Sequence, residues 1–318
     1  MKEVLATIEK DFGKGAVINM GQGVFGPIEW ISTGALTLDM ALGGGIPRGR
    51  IVEIIGPEST GKSTLSLQII AEAQAKGLGT CVFIDTEHAI DPVYAAALSV
   101  DMQSLLVAQP SNAEEALEIV DRLAQTGEVS VIIVDSVAGL VSAAELAGQM
   151  GDAHIAQIAR LMNQALRKLT GTLGKTNTTC IFTNQLRSKI GGYGSNETTT
   201  GGNGLKYFSS VRLDLRRIEQ IKNGTDVIGS RIKAKVIKNK CAIPFRQGEF
   251  EIVFGEGISR EGCILDVAVD RGQVAKKGTY FMDVASGENL GQGREKSKQY
   301  LKDHPELALS YYNSALGR

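Results

Sequence analysis

Gly56, Pro57, Glu58, Ser59, Thr60, Gly61, Lys62 and Ser63 spell a complete GxxxxGK[ST] phosphate loop, with Thr64 next in the chain. In such a loop the glycines let the backbone fold around phosphate oxygens and aim its N–H groups inward. The lysine brings charge to the β and γ phosphates, and the hydroxyl ligates Mg²⁺. The preceding run, Ile51 to Ile55, reads as a buried strand, and the apolar-periodic stretch from Leu65 to Ala75 reads as a helix whose N-terminus lies under the phosphates. A chance glycine-rich turn would not come with a strand before it and a helix after it, so the chain is expected to bind a nucleoside triphosphate.

Three further strand ends carry groups suited to the same chemistry. Val131 to Val134 is an apolar strand ending in Asp135, the position at which phosphate-loop proteins place an acid that lies beside the loop and holds Mg²⁺. Hydrolysis also needs a group that orients or deprotonates water, and Phe83-Ile84-Asp85-Thr86-Glu87-His88 offers Glu87. A solvated carboxylate at a strand terminus is the plainer account of Glu87, and a structural hydrogen-bonding role that of His88. Phe182-Thr183-Asn184-Gln185 places an amide at the same sheet edge, where open α/β folds bind ligands. Gln185 is read as opening a long flexible loop and as able to report a γ-phosphate to it; the alternative is an ordinary loop-opening amide.

These groups need a scaffold, and the pattern supplies one. Strand, helix, strand, helix and strand follow at about 80–84, 92–98, 105–107, 113–124 and 129–134, then a long helix at 153–170 and a strand at 178–183. Such alternation predicts a mostly parallel twisted sheet flanked by helices. Beyond Tyr207 the consecutive β-like runs 211–217, 231–237 and 249–254 predict antiparallel strands added at one edge. The expected fold is therefore α/β, with a core over 24–259. A short N-terminal helix and glycine-rich linker occupy 1–23, and a small C-terminal α/β domain occupies 260–318. Val4, Leu5, Ile8 and Phe12 form an apolar stripe on a helix too short to stand alone, so the stripe must dock, with a neighbouring subunit one choice.

Composition constrains the partners. Thirty-four basic against thirty-five acidic residues leave no global field for nucleic acid, so any DNA surface is a local patch. Cys81, Cys180, Cys241 and Cys263 form no CxxC pair; Cys81 and Cys180 lie in apolar runs and read as buried thiols. With no signal-peptide pattern and no apolar run of spanning length, the expectation is a soluble cytoplasmic protein without a membrane partner.

The order GPESTGKS, FIDTEHAIDPVYA, VIIVDS, FTNQ, ETTTGGNGLKY and KVIKNK resembles the RecA family of DNA strand-exchange ATPases over essentially the whole chain. The resemblance implies a RecA-type ATPase core that polymerises on single-stranded DNA, with ATP held between adjacent subunits, and that pairs this strand with homologous double-stranded DNA in repair. It implies Lys62, Ser63 and Asp135 as the phosphate and Mg²⁺ site, Glu87 as catalytic base, and Gln185 as γ-phosphate sensor. Asp91 and Tyr94 resemble adenine contacts, and Lys238 and Lys240 resemble a pair reaching the neighbour's phosphates. Residues 145–153 and 186–200 resemble the two DNA loops. Arg187 and Lys189 suit phosphates, Ile155 and Ile190 resemble wedges between base steps, and the backbone of Thr200, Gly201 and Gly202 can hold a strand. On the long helix, Ile155, Ile158, Met162, Ala165 and Leu169 form a core stripe, while Arg160, Asn163 and Arg167 share another face. Alone that face reads as solvated surface; with the resemblance it reads as a DNA contact.

The chain departs from the family pattern in places. The second loop is one residue shorter, with Gly192-Tyr193 where a Met-Phe pair is frequent, and Phe254 stands where a nucleotide-contacting tyrosine is common. The sequence ends at Arg318 without the acidic tail many members carry, which leads to an expectation of DNA binding less inhibited by free Mg²⁺. A co-protease role toward a damage-response repressor, and recombination mediators as partners, follow from the resemblance alone. The competing readings are a hexameric helicase-like motor on the same core, a regulatory paralogue without strand exchange, and a small-molecule kinase, for which no acceptor pocket or lid signature is visible.

Overall fold

The computed structural model describes residues 1–13, 16–17, 27–149, 156–188 and 197–317. After α1 (Lys2–Phe12), a small antiparallel pair, β1 (Trp30–Ile31) and β2 (Ile46–Pro47), brackets α2 (Leu36–Leu42). The core then runs β3 (Ile51–Gly56), α3 (Lys62–Ala75), β4 (Thr80–Asp85), α4 (Pro92–Ala97), β5 (Leu105–Ala108), α5 (Ala113–Thr126) and β6 (Val129–Asp135). It continues through α6 (Ala143–Ala147), α7 (Gln157–Thr176), β7 (Thr179–Ser188), β8 (Glu197–Thr199) and α8 (Gly204–Phe208). β9 (Val211–Asn223), β10 (Asp226–Asn239), β11 (Gln247–Val253) and β12 (Gly257–Ile258) complete it.

The large sheet has the order β12-β11-β10-β9-β3-β7-β6-β4-β5. From β9 to β5 every neighbouring pair is parallel, and β10, β11 and β12 are antiparallel additions. β3 and β6 are buried at every position, as strands covered on both faces must be. Along β6 the pleat sends Val131 and Ile133 into one apolar cluster with α2 and α3, and Ile132 and Val134 into another with α5 and α7. Met162, Leu166, Leu169 and Leu173 form the buried stripe of α7.

Three expectations need correction. The run 211–217 belongs to β9, which is parallel to β3, so the antiparallel additions begin one strand later. The long helix ends at Thr176, beyond the expected Thr170; its expected start at 153 lies outside the described residues. Gln185 does not open a loop. β7 continues through it to Ser188, because Leu186, Arg187 and Ser188 find backbone partners in Thr199, Thr198 and Glu197 of β8.

The C-terminal segment comprises α9 (Arg260–Asp270), a three-stranded antiparallel sheet of β13 (Val274–Lys277), β14 (Tyr280–Asp283) and β15 (Asn289–Gln292), then α10 (Arg294–Asp303) and α11 (Pro305–Ala315). β15 lies within the glycine-rich stretch 287–293. Buried Glu251 of β11 receives Arg294 Nε at 2.5 Å and Lys298 Nζ at 2.9 Å, joining α10 to the large sheet. By contrast α1 buries no residue, and Val4 and Phe12 on it are exposed. Cys81, Cys180 and Cys263 are buried free thiols and Cys241 is half-buried.

One polar group sits at the centre of the large sheet. Glu53 of β3 is fully buried, pairs with Arg212 Nε of β9 at 2.5 Å, and accepts a hydrogen bond from Asn184 Nδ2 of β7 at 3.1 Å. Removing one partner of such a pair strands a buried charge, whereas replacing both removes the problem. Arg212→Met is therefore expected to cost about 3 kcal/mol or more in urea unfolding. Combining it with Glu53→Gln is expected to recover most of that loss; a double variant as unstable as the single one would show that the charge is not the cause.

Candidate nucleotide site and nucleic-acid face

β3 ends at Gly56 and α3 starts at Lys62, so the phosphate loop is the turn between them. Two of its glycines are steric requirements. A Cβ on Gly56 would lie 2.6 Å from the Leu215 carbonyl oxygen and 2.8 Å from Thr60 Oγ1, and Gly61 has φ +80° with Ile252 against it. Lys62 Nζ donates to the Gly56 carbonyl at 3.1 Å and to the Pro57 carbonyl at 2.7 Å, which holds the ammonium over the loop. Burial lowers its pKa, opposed by the carboxylates of Asp135, Glu87 and Glu58. A pocket of about 430 Å³ is lined by Glu58, Ser59, Thr60, Gly61, Lys62, Ser63 and Thr64 of the loop and helix start, with Glu87, Asp135, Ser136 and Gln185. Larger clefts of about 930 Å³ and 830 Å³ lie elsewhere, but the phosphate-binding groups converge on this smaller one.

Those groups come from four strand ends. Asp135 closes β6, is 9% exposed, and is hydrogen-bonded by the Thr183 hydroxyl and by Ser63. Its pKa is raised, first by burial and further by the Glu87 charge, against the opposing pull of these hydroxyls and Lys62. Glu87 follows β4. Its Oε1 accepts a short hydrogen bond from the Ser136 hydroxyl and a longer one, 3.4 Å, from Gln185 Nε2. Neither Ser136 nor Thr183 was singled out from sequence, although both lie inside the motifs VIIVDS and FTNQ.

The remaining nucleotide candidates lie outside this pocket's lining. Asp91 caps α4 by accepting from the Val93 and Tyr94 N–H groups at 2.8 and 3.2 Å. The Tyr94 hydroxyl meets Thr64 Oγ1 at 2.9 Å, tying α4 to α3. Phe254 is 58% exposed just after β11. Lys238 Nζ donates to the carbonyls of Lys206 and Tyr207 at 2.6 and 3.0 Å, and Lys240 Nζ reaches the Tyr207 carbonyl at 3.4 Å, so both ammoniums gather at the C-terminal end of α8. Burial, with the nearby cations of Lys240 and Arg212, lowers the pKa of Lys238.

On the opposite side of β7, Gly201 and Gly202 have φ +80° and +76°, and side chains there would strike Val137 and Ala159. The Thr200 to Gly202 backbone is thereby pressed against the first turns of α7, where Arg160 is exposed and Asn163 Nδ2 donates to the Ala159 carbonyl at 2.8 Å. Arg167 is exposed one turn further along and its Nε donates to the Asn163 carbonyl at 3.3 Å. The groove of about 830 Å³ beside Arg160 and Arg167 also contains Glu114, Glu118 and Asp121, so the sequence expectation of a basic face holds only for the α7 side. Arg187 lies in β7 opposite Thr198; Ile155, Lys189 and Ile190 lie outside the described residues. Of the two expected DNA loops, 145–147 belongs to α6, and 186–188 with 197–199 forms strand pairs.

The family model described as the RecA N-terminal domain matches residues 1–259, and the RecA C-terminal domain model matches 262–313. The chain belongs to the RecA family. It is similar to Protein RecA of Trichormus variabilis, 55% identical over 306 residues that cover 96% of this chain and 85% of that protein. Protein RecA of a Nitratiruptor species is 57% identical over 311 residues, covering 96% and 89%. Protein RecA of Streptomyces venezuelae is 56% identical over 306 residues, covering 96% and 80%. The family's members are DNA-dependent ATPases of homologous recombination and DNA repair that form filaments, and that is the activity of this chain. Among the described residues no helix is long and apolar enough to cross a membrane.

The raised pKa of Asp135 has a testable sign. An acid whose folded pKa lies above its unfolded value costs stability when ionised, so this cost is absent below the ordinary carboxylate range and complete above the raised one. Asp135→Asn keeps an oxygen for the Thr183 hydroxyl and removes the charge. Without nucleotide it is expected to unfold at higher urea than the parent at pH 8, with the gap closing as pH falls through that window. A gap independent of pH would assign the gain to something other than ionisation.

Proposed function

We propose that this chain hydrolyses ATP in the pocket at the end of β3, and that single-stranded DNA followed by a homologous duplex occupies the α7 and Thr200 to Gly202 face. The observation carrying the reading is the convergence of Lys62, Ser63, Asp135, Glu87 and Gln185 on one pocket. The loop N–H groups from Gly56 to Thr64 and the N-terminus of α3 cradle the phosphates, and Lys62 exchanges its carbonyl partners for phosphate oxygens. Ser63 and Asp135 present hard oxygen donors side by side, as Mg²⁺ prefers, and would hold it there. Mg²⁺ held there would supply positive charge to the phosphates.

Glu87 orients and deprotonates the attacking water, and Gln185 reads the γ-phosphate. Because Gln185 lies on a continuous strand, its displacement is transmitted along β7 to the β8 arm without an intervening flexible loop. Asp91, Tyr94 and Phe254 belong to the adenine side. Lys238 and Lys240 complete the site of a neighbouring subunit, so hydrolysis depends on assembly, and the unburied stripe of α1 docks on a neighbour within the filament. Arg160, Asn163, Arg167, Arg187 and Lys189 contact phosphates, Ile155 and Ile190 wedge between base steps, and sequence is read by the paired strands themselves. The division into 1–23, 24–259 and 260–318, a cytoplasmic location, and co-protease action on a damage-response repressor with mediator proteins complete the proposal.

ATP hydrolysis with and without single-stranded DNA, and joint formation on a homologous supercoiled plasmid, test it. Lys62→Ala is expected to lose both activities. Glu87→Gln is expected to keep ATP-dependent DNA binding while hydrolysis falls by roughly 10²- to 10⁴-fold. DNA-stimulated hydrolysis without joints would favour the helicase-like or regulatory reading.

The neighbour's role has its own test. Lys238→Ala and Glu87→Gln chains are each expected to be inactive in hydrolysis, yet active when mixed, because an intact pocket then meets intact lysines across a joint. A mixture no better than its parts would place Lys238 in its own chain's chemistry.

A further inference from the structure

Asp85 ends β4 and is 2% exposed, yet its carboxylate has three N–H donors. Oδ1 accepts from the Ala89 backbone at 3.1 Å; Oδ2 accepts from the Ile90 backbone at 3.2 Å and from Gln109 Nε2 at 3.0 Å. A carboxylate that receives two successive N–H groups four and five residues ahead closes the intervening chain into a turn. Glu87 is at the apex of that turn, and His88 beside it has φ +53°, a conformation that a non-glycine residue keeps only when its surroundings impose it.

The other side of the turn is fixed independently. Thr86 N–H donates to the Asp135 carbonyl at 3.0 Å and Thr86 Oγ1 to the Ser136 carbonyl at 2.7 Å. Gly139 has no positive φ to explain its glycine. A Cβ there would lie 2.8 Å from Thr86 Oγ1, 2.9 Å from the Thr86 carbonyl oxygen and 3.2 Å from Glu87 Cγ, so the turn rests directly on its bare backbone. Asp85 pulls the turn from one side and Gly139 clears its seat on the other. Gln109, exposed just beyond the edge strand β5, is the side-chain member of this anchor.

We propose that Asp85 is a positioning residue for hydrolysis, anchored by Gln109, whose carboxylate templates the turn that aims Glu87 across the pocket. This rests on the assignment of Glu87 as the group that acts on water. An amide in place of the carboxylate turns an NH₂ group toward the donors it must accept from, so the turn relaxes and Glu87 shifts while the phosphate loop, on β3 and α3, stays in place. Small displacements of a reacting group are enough to cost large factors in rate.

The experiment measures DNA-stimulated kcat, affinity for a non-hydrolysable ATP analogue, and urea midpoint for Asp85→Asn, Gln109→Leu and Gly139→Ala, each alone and combined with Glu87→Gln. Asp85→Asn and Gly139→Ala are expected to lower kcat by roughly 10- to 100-fold, and Gln109→Leu by less, with analogue affinity nearly unchanged. In the Glu87→Gln background the same changes are expected to add no further loss, because they act through a group already disabled. Equal losses in both backgrounds, or a kcat that simply follows the urea midpoint, would overturn the proposal. Should Asp85→Asn fail to fold, Gly139→Ala and Gln109→Leu carry the same comparison. Unchanged hydrolysis in Glu87→Gln alone would sink the assignment of Glu87 and this inference with it. A Glu87→Gln loss with no effect of the other three would sink this inference only.

Discussion

Parallel register is the constraint on which the rest of the structure depends. Gly56 of β3 stands level with Gln185 of β7, and Asp85 of β4 level with Asp135 of β6, so the groups that follow these strands emerge together at one edge. A parallel sheet needs crossover helices on its faces, and those helices bury β3 and β6 on both sides. The site is thus rigid at its base and built from short extensions beyond it. A one-residue slip of β7 against β3 would turn Gln185 away from Glu87, because side chains alternate between faces.

Several buried carboxylates accompany this arrangement, and each is accommodated differently. Glu53 has a cation, Arg212, at 2.5 Å. Asp85 has three N–H donors and a lowered pKa: burial would raise it, and the hydrogen bonds of Gln109, Ala89 and Ile90 outweigh that. Asp39, held by Ser32 and Thr33, remains dominated by burial, and its pKa rises to about 6. Asp135 is also raised, and it is the one of the four that lines the phosphate-loop pocket. A group left electrostatically uncomfortable in the folded chain is one that gains when a cation arrives.

Much of the architecture was legible because local signals agree. The phosphate loop, the strand-helix alternation, the α7 stripe and Asp135 at the end of an apolar strand all follow from residue type and spacing. Contacts between distant residues were not legible. That the strand of Gln185 continues to Ser188 depends on the pairing of Leu186 to Ser188 with Glu197 to Thr199, and a glycine-rich, polar stretch between them gives no periodicity to show it. The parallel placement of β9 depends on its position beside β3, since its own alternation suits either direction. Ser136 and Thr183 were in plain view, but a serine or threonine after an apolar strand has no distinguishing pattern until its neighbour is known. Glu53 was hidden for the opposite reason, a single charge in a run whose apolar members define the strand.

The four cysteines have a consequence for handling the protein. Burial raises the pKa of Cys81, Cys180 and Cys241, and that of Cys263 to about 12, so the thiolate needed for exchange is scarce at neutral pH in the folded chain. Cys180 is fully enclosed in β7, between the strands that present the phosphate loop and Asp135. Its sulfur lies in the apolar cluster under α5 and α7, so a thiol reagent reaches it only when those helices lift from the sheet or the sheet itself opens. The rate at which Cys180 is labelled is therefore a clock for the opening of the core around β7, read from a residue the chain already carries.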